Sequence, residues 1–428
     1  MKYPQLNSLL FEKNRRKLIS EMSKNSIAIV HSNDQMPRNG DQYYPFRQNS
    51  DLFYLTGIDQ ERTILTVCPN HPNPELREIL FIIESNEQIA TWEGHKYTTE
   101  EATKTSGIRT IKYVSDLKSI LRELVLGAEY IYLNLNENPK FNPEIQLIDS
   151  RFMEYIRKEY PSHELKRLAP ILKDLRLKKE PEEIELIKEA CSITNHAFDR
   201  ILKFVKPNVC EYQVEAEMTH EFLWHRATGH AYPPIVASGK NACILHYIEN
   251  NKECKDGDLL LMDFGAEYAN YAADCSRTIP VNGKFTSRQK ECYEAVLRVQ
   301  KEVITWLTPG RNITEINLQV DNLIQEEHIK LGLYTRDDVT HQDPKNPLVR
   351  KYYPHGTCHF LGLDVHDVGD KTTTLEEGMI LTCEPGLYIP EENIGIRIEN
   401  DIVVAKTPYD LMKDIPREVD EIESLMKR

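Results

Sequence analysis

What this chain of 428 residues lacks narrows the field first. It has no run of 18 apolar residues, so no membrane-crossing helix and no membrane partner are expected. The opening Met1-Lys2-Tyr3-Pro4-Gln5 carries no apolar stretch, so no secretory signal is expected. It has no CxxC pair. Its nine cysteines (Cys68, Cys191, Cys210, Cys243, Cys254, Cys275, Cys292, Cys358 and Cys383) are odd in number, and several sit in apolar runs. That pattern argues against a disulfide framework and for a reducing, cytoplasmic setting. No solenoid-length repeat or low-complexity tract occurs. Positive charge is the scarcer sign, with 53 Lys and Arg against 67 Asp and Glu, which argues against a nucleic-acid partner. The net charge of −14 is dispersed and reads as solubility.

What is present suits a large folded chain. Hydrophobic residues make up 40% and charged residues 28%, enough for a substantial core. At roughly 100–200 residues per domain, two to four domains are expected. The first part alternates short branched strands (Ser26–His31, residues 78–83, Tyr130–Leu133) with helical patterns such as that near 116–126, which predicts an α/β domain. A charge-dense stretch from Leu172 to Lys179 leads into Glu180-Pro181-Glu182-Glu183, a helix start. The division is therefore placed between residues 1–175 and 176–428.

Beyond it, Ile184, Ile187, Cys191, Phe198 and Ile201 recur at helical spacing. A second helix is expected after Thr286, with Gln289 completing a capping box, stopping near Pro309-Gly310. A third is expected over 315–331. Residues 258–265, 378–383 and 395–404 read as strands. Helices grouped around a long antiparallel sheet make this part α+β. The charged segment from Ile415 reads as a surface helix.

The chemistry concentrates around His355-Gly356-Thr357-Cys358-His359-Phe360-Leu361-Gly362-Leu363-Asp364-Val365-His366-Asp367, with three histidines within twelve positions. Its glycines and the alternation over 363–366 read as irregular or strand-like. The segment lacks the Glu of an HExxH zinc helix. Isolated carboxylates stand in apolar segments on either side: Asp263 and Asp274 before it, Glu384 and Glu399 after it. An ionised carboxylate is costly to bury alone, so each needs a cation. That cation is either a nearby arginine such as Arg277 or a metal. Period two places Arg397 on the face of Glu399, as an ordinary salt bridge or as an orienting partner of a metal-bound carboxylate. Four oxygen donors and one imidazole favour Mn²⁺, Fe²⁺ or Co²⁺, with Zn²⁺ possible. Two such cations could hold a hydroxide and polarise a carbonyl.

These residues resemble the Xaa-Pro aminopeptidases (aminopeptidase P) of the pita-bread metallopeptidases. The resemblance runs over nearly the whole chain. It rests on the 355–367 segment, on Asn241-Ala242-Cys243-Ile244-Leu245-His246-Tyr247, on Met262-Asp263-Phe264-Gly265-Ala266 with Asp274, on Cys383-Glu384-Pro385-Gly386-Leu387-Tyr388, on Gly395-Ile396-Arg397-Ile398-Glu399, and on Tyr44–Gly57. It implies an α/β amino-terminal domain followed by an α+β pita-bread catalytic domain. It further implies that Asp263, Asp274, His359, Glu384 and Glu399 ligate two divalent metals, usually manganese, with Asp274 and Glu399 bridging. Glu384 would also accept the proton of the attacking water. His246 and His366 would bind substrate and stabilise the tetrahedral intermediate, and His355 and Tyr388 would line the substrate site. Arg397 would be the partner of the metal carboxylates, and Trp92 and Asp41 would approach the cleft. The implied reaction is attack of a metal-held hydroxide on the carbonyl preceding proline in peptides with proline in second position, by a homodimer or homotetramer. Prolidase, which cuts Xaa-Pro dipeptides, would use the same ligands. A non-catalytic peptide-binding module would lack them. One departure is Cys358, where the family usually has Ser or Gly.

Overall fold

Ser26–His31 and Tyr130–Leu133, the two most branched and apolar of the early segments, pair in parallel at the centre of a six-stranded sheet. The order is Thr110–Tyr113, Glu78–Ile82, Ile64–Val67, Ser26–His31, Tyr130–Leu133, Glu164–Arg167. Ile64–Val67 runs antiparallel to both its neighbours, and the remaining pairs are parallel. Parallel neighbours need crossovers, supplied by helices such as Thr99–Ser106 and Ile148–Glu159. Ile27, Ile29, Ile79, Phe81, Leu124 and Ile131 form the core beneath the sheet. Buried Arg15 ties this unit together: Nε meets Glu78 at 2.9 Å, and Nη1 donates to the carbonyls of Leu55 (2.8 Å) and Ser106 (2.9 Å). Arg176 meets Asp51 at 2.7 Å.

This computed structural model describes residues 3–427, so Met1, Lys2 and Arg428 of the terminal segments discussed above lie outside it. It divides into two compact units, Tyr3–Arg176 and the remainder from Leu177.

In the second unit, helix Pro181–Phe204 begins with proline in its first turn and a reciprocal Glu180–Glu183 cap, and buries Ile187, Cys191, Phe198 and Ile201. Helix Ser287–Ile304 is capped by Thr286 and Gln289 as expected. It ends at Ile304 rather than near Pro309, because Thr305, Trp306 and Leu307 donate to carbonyls three residues back and tighten the chain into turns. The third helix spans Ile313–Lys330.

The antiparallel strands form short ladders instead of one long sheet. These are Ile235–Ser238 with Leu259–Phe264 and Cys275–Pro280, Ile380–Cys383 with Asn400–Val403 and Tyr409–Asp410, and Gly386–Ile389 with Ile394–Arg397. The expected strand over 395–404 is therefore two strands, broken at Ile398-Glu399. There the Glu399 N–H turns away to donate to the Ser276 carbonyl at 3.1 Å. The 363–366 run is irregular, not a strand. The closing helix, Val419–Leu425, buries Val419 and Ile422, so it is not wholly a surface element. Among the described residues no helix is long and apolar enough to cross a membrane.

Candidate metal centre

Asp263 lies one residue from the end of strand Leu259–Phe264, paired with Ser276 of the neighbouring strand. The chain then leaves through Gly265, where a Cβ would stand 1.8 Å from the Ala273 carbonyl oxygen, so no larger residue fits. A small hairpin of Ala266–Tyr268 and Tyr271–Ala272 follows, with Ala269 and Asn270 at φ of 48° and 64° in its turn. It returns the chain so that Asp274 precedes strand Cys275–Pro280, on the same side as Asp263. The Tyr232 hydroxyl sits between them, 2.6 Å from an oxygen of each, and can give its proton to only one at a time.

The 357–361 segment runs antiparallel to 380–384, with Thr382 N–H donating to the His359 carbonyl and Glu384 N–H to the Thr357 carbonyl, both at 2.9 Å. This brings His359 and Glu384 to one place. His359 Nδ1 lies 3.0 Å from the Phe360 carbonyl, an acceptor, which leaves Nε2 facing Asp274 at 3.3 Å and Glu384 at 3.9 Å. A backbone acceptor on one ring nitrogen is the usual way to present the other to a metal. Glu399 accepts from Ser276 Oγ at 2.7 Å. One ligand atom from each of Asp274, His359 and Glu399 lies within 4.8 Å of the others, the only such group of His, Cys, Asp and Glu among the described residues. Asp263 and Glu384 flank that trio.

Arg397 reaches three groups: Nε donates to Ser276 Oγ (2.8 Å), Nη1 to the Tyr388 hydroxyl (2.9 Å) and Nη2 to Asp263 (2.7 Å). Tyr388 passes the chain on, its hydroxyl donating to His355 Nε2 at 2.8 Å while His355 Nδ1 faces the Gly356 carbonyl at 2.8 Å. Burial first, then the Arg397 charge, pushes His355 down to about 3, so it is neutral. Arg277, the alternative partner for the aspartates, instead donates to the carbonyls of Ser276, Glu399, Ile415 and Pro416. His366 stands edge-on to His359, ring centres 4.5 Å apart. His246 is exposed in the turn after Cys243, close enough for its charge to act on His355. Trp92, 82% exposed, and Asp41 lie on the surface of the first unit.

Charge in the centre is badly unbalanced. Burial raises Asp263, and burial together with neighbouring carboxylates raises Glu399. Glu384 is pushed up to about 7, by burial first and by Asp274 and Asp263, against the pull of His359 and Arg397. Burial presses His359 down, but Asp274 and Glu384 outweigh it and lift it to about 9. Four carboxylates share one guanidinium and one imidazole. Such a set of oxygen donors with one nitrogen fits divalent cations, and cations are what would relieve the repulsion.

Tyr232, Ser276 and Asp401 escaped the sequence reading. Tyr232 precedes Pro233-Pro234 in an unremarked loop, and nothing in its neighbours marks its 42-residue reach to Asp274. Asp401, fully buried, accepts from the Asp274 N–H at 3.0 Å and from the Cys191 thiol at 3.4 Å. Its one sequence signal is a carboxylate in an apolar strand, the same signal that flagged Asp263.

Residues 185–406 match metallopeptidase family M24, and residues 11–132 match the aminopeptidase P N-terminal domain. The chain is 34% identical over 429 residues to a Xaa-Pro aminopeptidase of Haemophilus influenzae, covering 97% of this chain and 96% of that protein. Among solved structures, Zn-substituted Escherichia coli aminopeptidase P in complex with product matches with a TM-score of 0.88 at 33% identity, covering 99% of each chain. Aminopeptidase P from the same organism with the inhibitor Pro-Leu matches with a TM-score of 0.87 at 33% identity, again over 99% of each. The chain belongs to metallopeptidase family M24, with an aminopeptidase P-type amino-terminal domain and a pita-bread carboxy-terminal domain.

Proposed function

We propose that this protein is an Xaa-Pro aminopeptidase, which hydrolyses the bond between an N-terminal residue and a following proline. The observation that carries this is the convergence of Asp274, His359 and Glu399, flanked by Asp263 and Glu384, in a chain of this family. Asp263, Asp274, His359, Glu384 and Glu399 would hold two divalent ions, manganese first given the oxygen-rich donors, with Co²⁺, Fe²⁺ or Zn²⁺ able to substitute. When bound, such ions make water a nucleophile near neutral pH and polarise the scissile carbonyl.

The protein's own residues do the rest. Glu384 is the base that takes the proton of the attacking water and returns it to the departing proline nitrogen. His246 and His366 bind the substrate and steady the negative charge growing on the carbonyl oxygen. Arg397 holds Asp263 through Nη2 and, through Tyr388, orients His355 toward the proline side, while burial first and then the Arg397 charge keep that imidazole neutral. Trp92 and Asp41 are proposed to contribute to the substrate cleft. The working protein is proposed to be a cytoplasmic homodimer or homotetramer, in keeping with nine free cysteines.

The test is hydrolysis by manganese-loaded enzyme of an Xaa-Pro-Pro tripeptide and an Xaa-Pro dipeptide. Cleavage of the tripeptide, abolished by a chelator, is the expected result. Cleavage of the dipeptide alone would make the protein a prolidase, and cleavage of neither would overturn the substrate class.

A further inference from the structure

His246 stands on a loop between strands Ile235–Ser238 and Leu259–Phe264 that has only the short helical turn Gly239–Cys243 to shape it. The crest of this loop is exposed, Ile244 by 54% and Ile248 by 58%, with His246 between them. A loop of this kind orders an imidazole only if something beneath holds it.

Glu211, the first residue of helix Glu211–Trp224, is fully buried under that loop. Its Oε1 accepts from the Ser238 N–H (2.8 Å), the Ser238 hydroxyl (2.7 Å) and the Asn241 amide (3.4 Å). Its Oε2 accepts from the Tyr247 hydroxyl (2.7 Å) and the Lys252 N–H (2.9 Å). All these donors belong to residues 238–252, and the Tyr247 strut is next in sequence to His246. No cation pairs with this carboxylate among the described residues. Burying a carboxylate without a cation is costly, and an apolar side chain would plug the same space at less expense. What the carboxylate adds is direction, since its acceptors fix both ends of the loop and the ring beside His246. The far side of the loop is pinned independently. A Cβ at Gly395 would stand 2.2 Å from the Ala242 carbonyl oxygen, and the Cys243 thiol donates to the Ile394 carbonyl at 3.3 Å.

We propose that Glu211 is a positioning residue for His246, acting through the Tyr247 hydroxyl to hold the imidazole where it meets the substrate carbonyl. This rests on the contact between His246 and substrate set out above. The experiment is a double-mutant cycle on the full-length, manganese-loaded enzyme with an Xaa-Pro-Pro tripeptide, combining Glu211→Gln or Tyr247→Phe with His246→Ala. With His246 present, Glu211→Gln should lower kcat by about 10- to 100-fold and Tyr247→Phe by about fivefold, with KM little changed. With His246 replaced, each should cost less than about twofold, because the group being positioned is gone. Bound manganese per chain should not change in Tyr247→Phe. An equal loss in both backgrounds, or no loss in either, would overturn the proposal, the former marking Glu211 as support for the fold alone. If Glu211→Gln fails to fold, Tyr247→Phe carries the test. Wild-type activity in His246→Ala would instead sink the role given to His246 in the proposed function, and this inference with it.

Discussion

The buried arginines of the amino-terminal unit and the carboxylates of the second unit's centre treat buried charge in opposite ways. In the first, the guanidinium groups are matched: Arg15 meets Glu78 and two carbonyls, and Arg176 meets Asp51. In the second unit Asp263, Asp274, Glu384 and Glu399 share Arg397 and His359, and Asp401 is buried behind them. Two histidines show the consequence. Burial pushes His31, packed at a tilt against Phe152, down to about 4, while carboxylates lift His359 to about 9 against the same penalty. Matched charge stabilises a fold and then stays put. Unmatched charge is a standing instability that a cation would relieve, and therefore marks where the chemistry is.

The sharpest way to break this comparison is to remove an unmatched carboxylate. Glu384→Gln should lower kcat on an Xaa-Pro-Pro tripeptide by about 10²- to 10⁴-fold. It should also raise the melting temperature of metal-free protein, since a repelling charge is gone; calorimetry with and without chelator reads this. A matched pair should behave the other way. Lys179 and Asp367, each side chain 1% exposed and 2.9 Å apart, lie in the second unit beside His366. Lys179→Met should destabilise by about 3–5 kcal/mol in denaturant unfolding, because the Asp367 carboxylate stays buried after its ammonium partner is removed. In the first unit, Arg15→Met should cost about 3 kcal/mol and change kcat by less than about twofold.

Acid should act on the histidines that burial keeps neutral, His31 in the first unit and His230 and His328 in the second. His31 is held at about 4, below its ordinary 6.5, so the unfolded chain takes up a proton first as pH falls. Its contribution to stability is complete above 6.5 and is lost as pH falls from 6.5 toward 4. His31→Leu should therefore reduce the drop in unfolding free energy between pH 7 and pH 4.5 by roughly 2–3 kcal/mol. The smallest effect is expected at Cys358, a buried core residue next in sequence to His359. Cys358→Ser should alter kcat by less than about twofold under reducing conditions. Any added resistance to peroxide would show that this thiol is an oxidation-sensitive point.

Much of this was legible in the sequence, and the limits have physical causes. Short branched runs such as Ser26–His31 and Tyr130–Leu133 could be read because each buries both faces. The Thr286–Gln289 cap could be read because both partners are local. The break at Ile398-Glu399 could not, because alternation continues through it and only the distant Ser276 carbonyl draws the Glu399 N–H away. The early stop of helix Ser287–Ile304 was hidden because Pro309 is a stronger local signal than the tightening turns that precede it. In the centre, each carboxylate betrayed itself as a charge in an apolar segment. Tyr232 and Ser276, whose polar atoms are common in any loop or strand, gave no such sign, though they join Asp263 to Asp274 and Arg397 to Glu399.

The most direct test is elemental analysis of purified chain after manganese loading and removal of free ion, beside Glu399→Ala treated identically. Two manganese per wild-type chain, falling below one in Glu399→Ala with no loss of folded structure, is the predicted result. A wild-type chain that folds, binds no divalent metal and still cleaves the tripeptide would contradict the account.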